Sequence, residues 1–143
     1  MQMQSGDLEK FVVAQDSGGT YARALREVRA GRKTSHWMWF VFPQVAGLGH
    51  SSMAQAYAID SLDQARAYLA HPVLGPRLRE CTAALLEHTG SSAEQIMGGI
   101  DALKLRSSMT LFARADRQER SFLAVLDAFY DGETDERTER LLG

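Results

Sequence analysis

With 143 residues, 45% hydrophobic and 24% charged, the chain is long enough to bury a core without staples and has ordinary globular composition. Its formal charge of −2 argues against a dedicated nucleic-acid-binding protein, and its single cysteine, Cys81, excludes an internal disulfide framework and suits a reducing compartment. No apolar run approaches the roughly 20 residues of a membrane span and no signal-peptide pattern opens the chain, so a cytoplasmic protein with neither nucleic-acid nor membrane partners is expected.

The polar residues 1–6 are expected to be disordered or loosely held ahead of a single helical domain over 7–143. Asp7 can cap a first helix carrying Leu8, Phe11 and Val12 on one face, and Ser17-Gly18-Gly19 breaks it. Thr20 opens a second helix with Tyr21, Leu25 and Val28 at helical spacing, stopped by Gly31. From 32 to 52 the helical period vanishes. The run Trp37 to Phe42 suits a strand in composition but has no evident pairing partner, so an extended or short helical core segment is expected. Periodicity then returns with Ser61-x-x-Gln64, a capping box before Leu62, Ala65 and Leu69 in a helix that ends at His71-Pro72. Pro76 suits the first turn of a helix with Leu78, Cys81, Leu85 and Leu86, closed by Gly90. Ser92-x-x-Gln95 starts a short helix ending at Gly98-Gly99, and Asp101 caps a run with Leu105, Ser108, Leu111 and Phe112. Asp116-x-x-Glu119 opens a helix with Phe122, Val125, Leu126 and Phe129, and Thr134 or Asp135 caps a last short one. The prediction is all-α: a compact single-domain bundle of about seven short-to-medium helices with an irregular aromatic segment at 32–52.

That segment is unlike the rest of the chain. Arg32, Lys33, Ser35 and His36 run into Trp37 and Trp39, and Gln44 and a glycine-interrupted loop, Gly47 to Ser52, follow. Indole faces offer a stacking surface, the cations can neutralise phosphate or carboxylate, and a histidine can carry a proton near neutral pH. Large aromatics in a helical domain are most often core, which accounts for Trp37, Trp39, Phe40 and Phe42 without a ligand, and a helix C-terminus accounts for Arg32 and Lys33. A second candidate is Asp101 to Thr110, where Asp101, Lys104 and Ser108 fall near one helical face. A pocket needs both segments to meet in space. Arg23, Arg26 and Arg29 form a basic helical stripe that reads either as a solvated face or as a surface for an acidic partner. The four histidines lack metal-ligand spacing and no dinucleotide or phosphate-loop motif occurs, so no metal site and no cofactor is expected. Cys81, on an apolar helical stripe, is expected to be buried and inert.

Several unusual words occur in one order: Phe11-Val12-x-Ala14-Gln15, Gly31-Arg32-Lys33-Thr34-Ser35-His36-Trp37-Met38-Trp39-Phe40, Phe42-Pro43-Gln44, Gly47-Leu48-Gly49-x-Ser51, Tyr57-Ala58-Ile59, Tyr68-Leu69-x-His71-Pro72-Val73-Leu74-Gly75 and Asp101-x-x-Lys104-Leu105-x-Ser107-Ser108-Met109-Thr110-Leu111-Phe112. On these the chain resembles a bacterial family of unknown function, often given a calpastatin-like label in error, over Leu8 to Leu142. The resemblance implies a compact, mainly helical fold and no established activity. The chain departs from it at Ser17–Gly19 and at His50, where relatives often carry a basic residue.

The residues favour binding over catalysis, because no nucleophile–base pair is evident. The expected ligand is anionic and planar, a nucleotide or ADP-ribose-like molecule, held by Arg32, Lys33, Ser35, His36, Trp37, Trp39, Gln44, Lys104 and Ser108. Two other readings stay open: a protein-interaction module using the basic stripe or exposed aromatics, and a hydrolase of a nucleotide derivative with His36 or Asp101 as acid or base.

Overall fold

The computed structural model describes the backbone of residues 3–143 and the side chains from Leu8 onward. The expectation for residues 1–6 falls outside the described side chains. Among the described residues, α1 (Met3–Asp16), α2 (Thr20–Arg29), α3 (Met38–Val41), α4 (Ser52–Ala56) and α5 (Leu62–Ala70) are followed by α6 (Leu74–Leu85), α7 (Ala93–Met97), α8 (Gly99–Ala115), α9 (Ser121–Tyr130) and α10 (Glu136–Leu142). The fold is all-α, as expected. The count exceeds seven chiefly through α3 and α4, single turns of four and five residues that are too short to leave a helical period. Among the described residues β-pairing is confined to one isolated parallel bridge between Val45 and Ile59.

The axis of the core is α8, with Ala102, Leu105, Met109, Leu111 and Phe112 buried along it. Helices α5, α7, α9 and α10 surround it, while α2 packs on α6 and α1 joins α2, α3 and α5. Aromatic rings bind the two groups together. Phe11 of α1 meets Tyr68 of α5 edge-on at 5.4 Å, Tyr68 meets Phe112 of α8 at 5.3 Å, and Phe112 meets Phe122 of α9 at 5.8 Å. Cys81 is buried, as expected, and that burial pushes its thiol up to about 12.

Capping chemistry sets most boundaries. Gly18 and Gly19 take φ of 62° and 70°, a left-handed backbone that turns the chain between α1 and α2. Ser92 and Gln95 form a full capping box on α7. On α5 only half of it forms: Ser61 accepts from the Gln64 amide, while the Gln64 side chain accepts from Asp60 N. His71 does work that its sequence position does not announce. Its Nδ1 accepts the amides of Val73 and Leu74 at 3.1 and 3.2 Å, which fixes the ring proton on Nε2, 3.0 Å from Glu9. His88 similarly closes α2, its Nε2 lying 2.8 Å from the Arg29 carbonyl.

Four predicted boundaries move. The first helix begins at Met3, so it runs through Asp7 rather than starting there. The Gly90 stop is preceded by a 3-10 turn, Leu86–His88, because α6 ends at Leu85. Gly98 is the N-cap of α8, so Asp101 is its third residue and not its cap. Asp116 ends α8 in an extended conformation and accepts from the Gln118 amide, which turns the chain; α9 waits until Ser121, where apolar residues resume.

Candidate functional site

The site begins with an acid inside the basic stripe of α2. Glu27 accepts from the amides of Thr34 and Ser35 at 2.9 and 3.1 Å, from Ser35 Oγ at 2.6 Å and from Trp37 Nε1 at 2.8 Å. Burial alone would raise this carboxyl, but the bonds from Ser35, Thr34 and Trp37 outweigh it and hold the group down at about 2. The loop therefore winds round a carboxylate. Gly31, at φ 75°, turns the chain into it, and the Lys33 amide donates to Ile96 of α7 at 2.7 Å.

This winding sends the two tryptophans opposite ways. Trp37 is 1% exposed, packed on Phe42 at 6.3 Å, and belongs to the core. One residue into α3, Trp39 is only partly buried and leans on Phe40 at 5.8 Å. Its Nε1 is buried with no hydrogen-bond partner among the described residues. An indole N–H left so costs stability.

A cleft of about 410 Å³ opens between the aromatic segment and the start of α8. Lys33, His36, Met38 and Trp39 line one side, and Met97 to Asp101 with Lys104 line the other. The two segments singled out by sequence do meet. Lys33 Nζ lies 2.7 Å from Asp101 Oδ2, donates to the Ser35 carbonyl at 2.6 Å and sits 4.9 Å above the Trp37 ring. Its side chain is 6% exposed, so this ion pair is a structural clamp between loop and helix. Lys104 is freer: its ammonium is 3.9 Å from Asp101 Oδ1 and 5.3 Å above the Trp39 ring. No side chain caps α8, a helix of 17 residues, so its first-turn amides and the positive end of its dipole border the cleft. Two lysines against one aspartate leave the cleft one positive charge in excess, which favours an anion.

Of the residues named from sequence, Lys33, His36, Trp39, Asp101 and Lys104 line this cleft and Gln44 lines its neighbours. The others lie elsewhere, for visible reasons. Arg32 is exposed beyond the cleft, and Ser35 is spent on Glu27. Trp37 is core, and Ser108 is fully buried in α8. Sequence reasoning missed Glu27, Met38, Met97 and the Gly98–Ile100 turn. The one signal available was a lone acid among Arg23, Arg26 and Arg29.

The sequence model of a family described as "Protein of unknown function (DUF1810)" matches residues 5–142. No match is found among curated proteins. Among solved structures, the chain is similar to that of the conserved hypothetical protein Rv1873 from Mycobacterium tuberculosis, at 53% identity and a TM-score of 0.92, over 95% of this chain and 96% of that one. Matched over nearly its whole length, this chain belongs to the DUF1810 family of proteins of unknown function.

Proposed function

We propose that this protein binds an anionic, planar small molecule of the nucleotide or ADP-ribose type in the cleft at the N-terminus of α8. The observation that carries this reading is the convergence of Trp39, His36 and Lys104 on the uncapped first turn of a long helix. The anion sits against the Gly99–Asp101 amides and Lys104, and the planar group lies along the Trp39 indole. Lys33 positions rather than binds, because its three interactions are already made.

Binding is favoured over hydrolysis because, of the two candidate acid–base groups, Asp101 is ion-paired to Lys33 at 2.7 Å, and His36, which lines the cleft, is hydrogen-bonded to no nucleophile or carboxylate among the described residues. The interaction-module reading draws on α2, where Arg26 is exposed with no ion-pair partner among the described residues. It draws nothing from aromatics, since the large hydrophobics exposed among the described residues are Val13, Ile100, Leu103, Leu123 and Leu141.

The test is a thermal-shift screen against nucleotides, ADP-ribose and sugar phosphates. A ligand at one hundred times its dissociation constant adds about 2.7 kcal/mol, which for a domain of this size raises the midpoint by roughly 5–10 °C. Lys104→Ala should abolish that shift. A flat screen at millimolar ligand would remove the proposal and turn attention to Arg26 and its neighbours.

A further inference from the structure

Beyond Lys104 the surface stays concave. A second cleft, of about 370 Å³, opens on the far side of the same stripe of α8 and shares Ile100 and Lys104 with the first. Leu103 and Ser107 continue its floor, Leu48 walls it from the loop before α4, and Arg137 reaches in from α10. Ile100, Leu103, Lys104 and Ser107 are neighbours three or four residues apart, so both clefts run along one helix face. Ile100 is 74% exposed and Leu103 63% exposed. Side chains of that size on a solvated helix gain nothing from exposure, but they make an apolar floor for a ligand.

Lys104 stands at the junction. Lys33 answers most of Asp101's charge at 2.7 Å, against 3.9 Å for Lys104, so the Lys104 ammonium keeps donor capacity. Beside it a small cavity brings Gln44 together with Trp39, whose Nε1 has no partner among the described residues. The order along the groove is therefore aromatic wall, cation, then an apolar floor edged by Arg137 and by Asp135, whose carboxylate is already taken up in capping α10 at Thr138.

We propose that the ligand is two-lobed: a planar group beside Trp39, a second heterocyclic group over Leu103 and beside Arg137, and a diphosphate-type linker seated on Lys104. This rests on the reading above that the first cleft takes an anionic planar molecule. It narrows the ligand class to two nucleoside-like groups joined through phosphate. Each cleft alone is of the size that accommodates one such group, and ligand sites run to roughly 1,000 Å³.

The experiment is isothermal titration of the full chain with AMP and with diadenosine diphosphate, two copies of the same lobe joined by the linker. The linked molecule should bind about tenfold or more tightly than AMP, since its second lobe engages at high effective concentration. Leu103→Ala and Arg137→Ala, both at exposed side chains outside the first cleft, should bring the linked molecule to within about twofold of AMP while leaving AMP unchanged. Their unfolding midpoints, compared with that of the unsubstituted chain, verify that the fold is intact. Equal binding of the two molecules, or indifference to both substitutions, overturns the two-lobed ligand and leaves the first cleft standing. Binding of neither at millimolar concentration removes the first cleft as well.

Discussion

Glu27 is the residue whose removal tests the architecture of the site most sharply. Glu27→Ala deletes the acceptor of four hydrogen bonds. Thr34 is exposed, and water takes over its amide. The Ser35 amide is partly buried and the Trp37 indole belongs to a ring 1% exposed, so neither is fully rehydrated. Each buried donor left unpaired costs about 1–3 kcal/mol, so the two together lose about 2–6 kcal/mol and the midpoint falls by at least roughly 4 °C. Acid provides an independent check. Burial alone would raise the Glu27 carboxyl, but the bonds from Ser35, Thr34 and Trp37 hold it at about 2 against an ordinary 4.5. Its contribution is thus fully present above pH 4.5 and lost as the pH falls toward 2. Glu27→Gln should flatten that acid limb. Urea unfolding followed by far-ultraviolet circular dichroism at several pH values reads both effects. A loss under about 0.5 kcal/mol with an unchanged urea slope, or parallel acid profiles for Glu27→Gln and the unsubstituted chain, would refute the reasoning.

Trp37→Ala should cost about 3–5 kcal/mol, measured by urea unfolding, because it empties a core site; a loss under about 1 kcal/mol would mean that the ring is not packed as described. Asp101→Ala should cost about 3 kcal/mol, since it strands the buried Lys33 ammonium, and adding Lys33→Met should recover most of it; no recovery would show that the pair does more than clamp. His71→Ala should lower stability by about 1 kcal/mol through loss of the α6 cap, and an unchanged thermal midpoint would contradict that role. Cys81 should resist thiol reagents until the chain unfolds; labelling within minutes in native buffer would show that the helix opens locally.

The helices were legible because they combine a 3.6-residue period with caps whose chemistry is local. Ser92-x-x-Gln95 and Asp135 predict α7 and α10 correctly since each cap bonds within three residues of itself. Asp101 and Asp116 misled for the opposite reason. The first is drawn to Lys33 across the fold, and the second sits before a charged stretch, Arg117 to Arg120, that has nothing to bury. The aromatic segment stands out in the sequence because the helical period lapses there. Which tryptophan faces the cleft was not readable, because Glu27 decides it from seven to ten residues upstream, outside any period. Lys33 and Asp101 are 68 residues apart, and no single-sequence pattern announces such a contact. Trp39, Asp101 and Lys104 could be named as residue types; their meeting was a property of the fold.

Two tryptophans give two indole N–H resonances, and they make the most direct test. Nitrogen–proton correlation spectra would be recorded during titration with AMP, the Trp39 signal being assigned by its loss in Trp39→Phe. Trp39 lines the cleft and its Nε1 has no partner among the described residues, whereas Trp37 Nε1 is bound to Glu27 in the core. The account predicts that the Trp39 resonance and the Gly98–Asp101 amides move together while Trp37 stays in place. Movement of Trp37 alone, or of neither at millimolar AMP, would contradict a nucleotide site in this cleft.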